Sequence, residues 1–215
     1  MKFRRNLWST ACLTVAVLGL ATIATADDEK KSSKAEIGEA APAWTLNDMK
    51  GDSHNLTDFE GKIVVLEWFN ADCPFCRNVY DNGVVETTLK KFEEMGEDIV
   101  YLTVNSTNPD RVGKSAKDIE KVSARLMKNA KVELPMLLDY DGAIGKAYGA
   151  RTTPHMYVID GEGVLRYHGA FTDDRSGKKK DYKNYVVDAV KMIKADETVT
   201  PDYVQPWGCS VKYAK

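Results

Sequence analysis

The chain has 215 residues, 43% of them hydrophobic and 29% charged, with 15 glycines and 7 prolines. These proportions exclude collagen-like, coiled-coil and fully disordered chains, and the length suits one domain of roughly 150–200 residues, or at most two small ones. Lys and Arg number 30 against 32 Asp and Glu, a formal charge of −2, and no basic stripe of the kind that binds nucleic acid is present.

At the start, Lys2, Arg4 and Arg5 precede a charge-free, mostly apolar run over 7–23, and Ala24-Thr25-Ala26 then leads into Asp27, Asp28 and Glu29. That order predicts an export signal over 1–26, cleaved after its small-x-small site. The alternative is an uncut anchor, because the apolar run is near the lower limit of about 17 residues for a spanning helix. Both place the folded part outside the cytoplasm, in a periplasmic or equivalent compartment, with membrane contact only if the segment stays uncut. Cys12 does not fit a lipobox, since the apolar run follows it. Residues 27–36 are charged and without apolar periodicity, which predicts a flexible linker. The domain then covers 37–195 and a tail covers 196–215.

From 37 to 61 the pattern is short β pieces with turns, at 43–46, 49–52 and 53–56. The run IVVLEWF at 63–69 is nearly continuous in β-branched and aromatic residues, the mark of a strand covered on both faces. Pro74 opens a helix that Asp81-Asn82-Gly83 interrupts and that resumes over 84–95. IVYLTVN at 99–105 is the next buried strand, and a helix over 115–129 carries Ile119, Val122, Leu126 and Met127 on one face. A short strand at 136–138 and a short helix at 143–148 follow. A hairpin pairs 155–159 with 164–170 around Gly161-Glu162-Gly163, and the closing helix covers 182–194. This order predicts an α/β fold, a mixed sheet with helices on both faces. Trp44, Trp68 and Phe69 are expected in the core, and Lys178-Lys179-Lys180 in a solvated loop.

Beyond the leader three cysteines remain, Cys73, Cys76 and Cys209. They are too few for a disulfide-stapled scaffold, and an odd count leaves one thiol free or pairing only transiently. Cys73-Pro74-Phe75-Cys76 falls between a buried strand and a helix start. There, unsatisfied backbone N–H groups and the positive end of the helix dipole favour a thiolate, and Pro at the first helical position is already set for the helix. The spacing lifts Cys76 one turn, in position to attack a mixed disulfide on Cys73. A zinc knuckle would need a second ligand pair, which the sequence lacks. Thr153-Pro154, just before a strand, is a candidate cis peptide. His155, next to it, is a candidate either to lower the Cys73 pKa or to complete a copper or zinc site with both thiols. His54 and His168 read as surface residues. Arg77 and Arg151 are candidates to stabilise a thiolate, against the plainer reading of solvated surface.

With these residues assembled, the sequence resembles the thioredoxin-fold superfamily. The branch is the redoxins, which contains alkyl-hydroperoxide-reductase/thiol-specific-antioxidant proteins and exported thioredoxin-like reductases. The resemblance spans about 37–194 and rests on GEAAPAWTLNDMKG, GKIVVLEWFNADCPFC, the extra helix at 115–129, and TTPHMYVID. It implies a thioredoxin-like mixed sheet with an N-terminal β extension. It also implies that Cys73 is the nucleophile, Cys76 the resolving thiol, and Pro154 the cis-proline opposite them. Thr153 would offer backbone groups to an extended substrate, with Pro74, Phe75 and Trp68 on the substrate face. Glu67, six residues before Cys73, matches a buried acid that moves protons to and from the resolving thiol, and burial should raise its pKa. The tail WGCSVKY resembles that of one subgroup of exported redoxins, which makes Cys209 a candidate third redox thiol.

The implied function is an exported thiol–disulfide oxidoreductase acting on protein or small-thiol disulfides with a redox partner, without organic cofactor or metal. The alternative is a thiol peroxidase acting on hydroperoxides through Cys73, with Cys76 or Cys209 resolving. Peroxiredoxins, however, carry P-x-x-x-T/S-x-x-C, and Leu66 and Asn70 stand where the Pro and Thr/Ser belong. A copper- or zinc-binding protein is a further alternative, although copper chaperones of this fold use C-x₃-C where this chain has C-x₂-C.

Overall fold

The computed structural model describes residues 34–215; the expected leader at 1–26 and the linker up to residue 33 lie outside the described residues. Strands β1 (Thr45–Asn47) and β2 (Ser53–Asn55) form an antiparallel hairpin. The β piece expected at 49–52 is instead its turn, because the Asp48 carboxylate accepts the N–H groups of Lys50 and Asp52 and bends the chain. IVVLEW becomes β3 (Ile63–Trp68), buried along its whole length, and full burial of side chains such as Val65 or Leu66 contributes about 1.5–3 kcal/mol each.

Helix α1 (Pro74–Asp81) and helix α2 (Val84–Met95) are separate. They break at Gly83, whose φ of 74° lies in the left-handed region that glycine enters without steric cost. β4 (Ile99–Asn105) follows. A four-residue helix α3 (Pro109–Val112) is capped by Asn108, whose side chain accepts the Arg111 N–H; the sequence reading did not contain it. Helix α4 (Ala116–Asn129) starts from Ser115 as its cap. β5 (Met136–Leu138) and α5 (Ala143–Ala147) come next, then β6 (Thr152–Thr153), β7 (His155–Ile159) and β8 (Leu165–Gly169). Helix α6 (Tyr185–Lys194) begins three residues later than expected, because the Asn184 side chain accepts the Val187 N–H and fixes the start there.

The main sheet has the order β5-β4-β3-β7-β8-β9, where β9 (Tyr203–Val204) comes from the C-terminal segment. β3, β4 and β5 run parallel, β7 is antiparallel to β3 and β8 antiparallel to β7. Side chains alternate along β3. Ile63 and Val65 join the core built with α1, α2 and α6, whereas Val64, Leu66 and Trp68 join a second core with Trp44, Tyr148 and Tyr157. By the same alternation Glu67 points to the first of these cores. The tail does not trail away: besides β9, Cys209–Ser210 forms β10 and pairs antiparallel with β6.

Candidate active site

The chain leaves β3 through an Asn70 turn. The Asn70 side chain accepts the Asp72 N–H at 2.8 Å and its carbonyl accepts the Cys73 N–H at 3.0 Å. Cys73 therefore becomes the N-cap of α1 with Pro74 at the first helical position, so its sulfur sits where the first-turn N–H groups are unsatisfied. Across from it, the Thr153–Pro154 bond is cis, and the Cys73 sulfur lies 2.9 Å from the Thr153 carbonyl oxygen.

The electrostatics separate the two cysteines of the motif. A hydrogen bond from the Cys76 thiol, joined by others from Thr153 and Cys209, holds the Cys73 pKa well below the ordinary thiol value against the opposing effect of burial. Cys76 is fully buried, and burial, the Cys73 bond and the nearby Glu67 charge push its pKa well above the ordinary value. At neutral pH one sulfur is the anion and the other keeps its proton.

Glu67 lies behind this pair with no exposed surface. Its Oε2 accepts hydrogen bonds from Tyr80 at 3.0 Å and Tyr101 at 2.8 Å, while Oε1 is buried with no partner. Burial raises its pKa to about 7, helped by the Cys73 charge and opposed by the two hydroxyls. Neither tyrosine entered the sequence reading. The available signal was a hydroxyl-bearing ring within each of two segments that the sequence predicts to be packed, α1 and β4.

Several expectations need correction. Trp68 is fully buried, donates to Ser106 Oγ at 3.0 Å and packs on Tyr148 and Tyr157. It belongs, as expected, to the core, on the far side of β3, and has no exposed surface to offer a substrate. Thr153 is buried too, and its pairing edge is taken by the chain's own tail, Cys209 opposite Thr153 and Ser210 opposite Thr152. Pro74 is exposed and Phe75 half-buried, with the Phe75 ring 6.2 Å from that of Trp207.

His168 is not a surface residue. It is half-buried, stacks on Tyr157 and lies under Tyr203 from the tail. His54 is half-buried against Asp48, 3.2 Å away. His155 does not serve Cys73: its ring accepts the Arg151 N–H at 3.3 Å and sits 3.5 Å from the His168 ring nitrogen. Burial, with the His168 and Arg151 charges, depresses its pKa to about 3, so it is neutral. Arg77 donates to the Ala71 carbonyl and Arg151 to the Tyr203 hydroxyl. Among the described residues no three His, Cys, Asp or Glu side chains group to hold a metal. All three thiols are free in this structure.

The AhpC/TSA family model matches residues 37–168. The thiol-disulfide oxidoreductase ResA of Bacillus subtilis strain 168 is 30% identical over 168 residues, covering 77% of this chain and 85% of that protein. A peroxiredoxin of Methanosarcina mazei is 25% identical over 179 residues, covering 79% and 80% of the two chains. Among solved structures, a hypothetical protein of Sinorhizobium meliloti 1021 superposes with a TM-score of 0.71 at 25% identity, covering 85% of this chain and 97% of that one.

Proposed function

This chain belongs to the AhpC/TSA family and is a thioredoxin-like oxidoreductase, and from that premise we propose that it exchanges disulfides through Cys73 and Cys76. The observation that carries the reading is the placement of the two sulfurs, Cys73 at the α1 N-terminus facing the cis Thr153–Pro154 bond and Cys76 sealed in the core with a buried Glu67 whose Oε1 has no partner. This placement favours an ionised Cys73 and a protonated Cys76. The Cys73 thiolate attacks a substrate disulfide, forming a mixed disulfide and releasing one thiolate. Cys76 then gives its proton to Glu67 and attacks Cys73. The second substrate thiol leaves, and Cys73–Cys76 remains oxidised. Two electrons pass to the substrate and no other group is required. The bonds from Tyr80 and Tyr101 hold the carboxyl in place for that transfer.

Two relatives bear the names thiol-disulfide oxidoreductase and peroxiredoxin. Disulfide exchange is favoured because Asn70 and Leu66 supply no hydroxyl or loop proline at the positions where peroxiredoxins carry them. The leader pattern at 1–26, ahead of a domain over 37–195, supports export, so the substrates are extracytoplasmic protein or small-molecule disulfides. The test is turnover of oxidised glutathione and insulin by the protein kept reduced with dithiothreitol. Cys73→Ser should fall to the uncatalysed rate, and undiminished turnover would overturn the assignment. In parallel, hydrogen peroxide should oxidise Cys73 no faster than it oxidises free cysteine. A rate a thousandfold higher would replace this reading with the peroxidase one.

A further inference from the structure

The sulfur assigned as nucleophile belongs to a residue that is only 2% exposed, and the C-terminal segment lies across it. Trp207 lies against Phe75 and donates through Nε1 to the Thr172 carbonyl at 2.8 Å. Gly208 crosses flat over the Thr153 carbonyl, with φ 137°, and a Cβ there would collide with that oxygen. Cys209 then pairs with Thr153, the residue whose carbonyl oxygen lies 2.9 Å from the Cys73 sulfur. Beyond it the Val211 N–H reaches the Arg151 carbonyl at 3.0 Å, the Lys212 carbonyl accepts from Asn108 at 2.8 Å, and the Tyr213 hydroxyl donates to the Ala150 carbonyl at 2.8 Å. The segment is thus added as a strand to the edge beside the cis-proline, anchored on both sides of its one cysteine.

We infer that residues 207–211 are an internal substrate strand, and that Cys209 forms a disulfide with Cys73 which fastens this strand across the site. The inference rests on Cys73 being the exchanging nucleophile. In the oxidised protein the step is an isomerisation. Cys209 loses its proton and attacks the Cys73 sulfur, the Cys73–Cys76 bond breaks as Cys73–Cys209 forms, and the proton goes to Cys76. No electrons are gained or lost. Burial, together with the neighbouring Cys73 sulfur, raises the Cys209 pKa to about 11. An external disulfide reaches Cys73 only when the strand lifts.

The test uses the full chain carrying Cys76→Ser, treated with oxidised glutathione, alkylated and mapped without reduction. Cys73 displaces one glutathione thiolate and takes up the other half as a mixed disulfide. Cys209 then gives up its proton, attacks the Cys73 sulfur and releases the second glutathione. The expected product is the Cys73–Cys209 cross-link in at least tenfold excess over glutathionylated Cys73. A lasting glutathione adduct with Cys209 alkylated as a free thiol overturns the inference and leaves the proposed function standing; free thiols at both positions overturn both. A second variant, Gly208→Val, keeps all three sulfurs and lifts the strand. It should raise the alkylation rate of Cys73 at least tenfold in the reduced protein. An unchanged rate means that the strand does not cover the site, and sinks the idea.

Discussion

A carboxyl group with two hydroxyl donors on one oxygen and none on the other sits at the branch point of the proposed chemistry. Glu67 holds its proton up to about pH 7 because burial penalises the anion more than Tyr80 and Tyr101 stabilise it. The effect on stability has a definite sign. Below pH 4.5 the carboxyl is protonated whether the chain is folded or not, so burial carries no ionisation penalty. As pH rises from 4.5 towards 7 the unfolded chain releases the proton and the folded one keeps it, so stability falls. The loss then levels off at about 3 kcal/mol, the interval between 4.5 and about 7 at ~1.36 kcal/mol per pH unit. Urea unfolding at pH 4.5, 6 and 8 should show this decline in the native protein and not in Glu67→Gln; parallel profiles for the two proteins would refute the buried, protonated carboxyl. The same substitution should slow the attack of Cys76 on a Cys73 mixed disulfide by about 100-fold and remove its inflection near pH 7, since a positioned proton acceptor contributes about 10²–10⁴ in rate. Tyr101→Phe, which removes the bond to Oε2 at 2.8 Å, should raise the Glu67 pKa further, and the inflection should move to higher pH. Movement to lower pH would mean that the hydroxyl does not stabilise the anion.

At the scale of elements, the legible parts were those that bury a continuous face. IVVLEW and IVYLTVN announced β3 and β4 because strands covered on both sides need nearly every residue apolar. The break between α1 and α2 was legible because Asn82-Gly83 states its own backbone geometry. Trp68 lies in the core as expected, but the side of β3 it occupies was not legible, for the converse reason. Alternation says only that neighbouring side chains face opposite ways, and which face carries the chemistry is decided by α1 packing on one side and Tyr148 with Tyr157 on the other. Trp68→Ala should therefore cost about 3–5 kcal/mol through the cavity it leaves, read as a lower urea midpoint. The variant's KM for disulfide substrates should hold under conditions where it remains folded. A raised KM with unchanged stability would return Trp68 to the substrate face. Tyr80 and Tyr101 went unread because their shared partner exists only once α1 lies over β3 and β4 is set in parallel register, Val65 beside Tyr101.

For the molecule as a whole, the outline of the fold was readable from element order, and the closure of its site was not. Two-residue strands such as β9 and β10 leave no periodicity to detect, and their partners, β8 and β6, are remote in sequence. The same closure half-buries His168 beneath Tyr203, although its own segment alternates like an exposed hairpin. The tail is tied down at Trp207, which is 8% exposed and bonded to Thr172, and at Tyr213, whose ring lies against Gly142 and Gly145. If it docks as one unit, each anchor helps only while the other holds. Trp207→Ala alone should cost about 3 kcal/mol and Tyr213→Ala about 1–2 kcal/mol. The double variant should cost less than their sum by about 1 kcal/mol, since the first loss already frees the segment that the second anchor held. Additivity within about 0.5 kcal/mol, measured by urea unfolding, would mean that the two ends dock independently. The strand over Cys73 could then open at its Trp207 end while Tyr213 stayed in place.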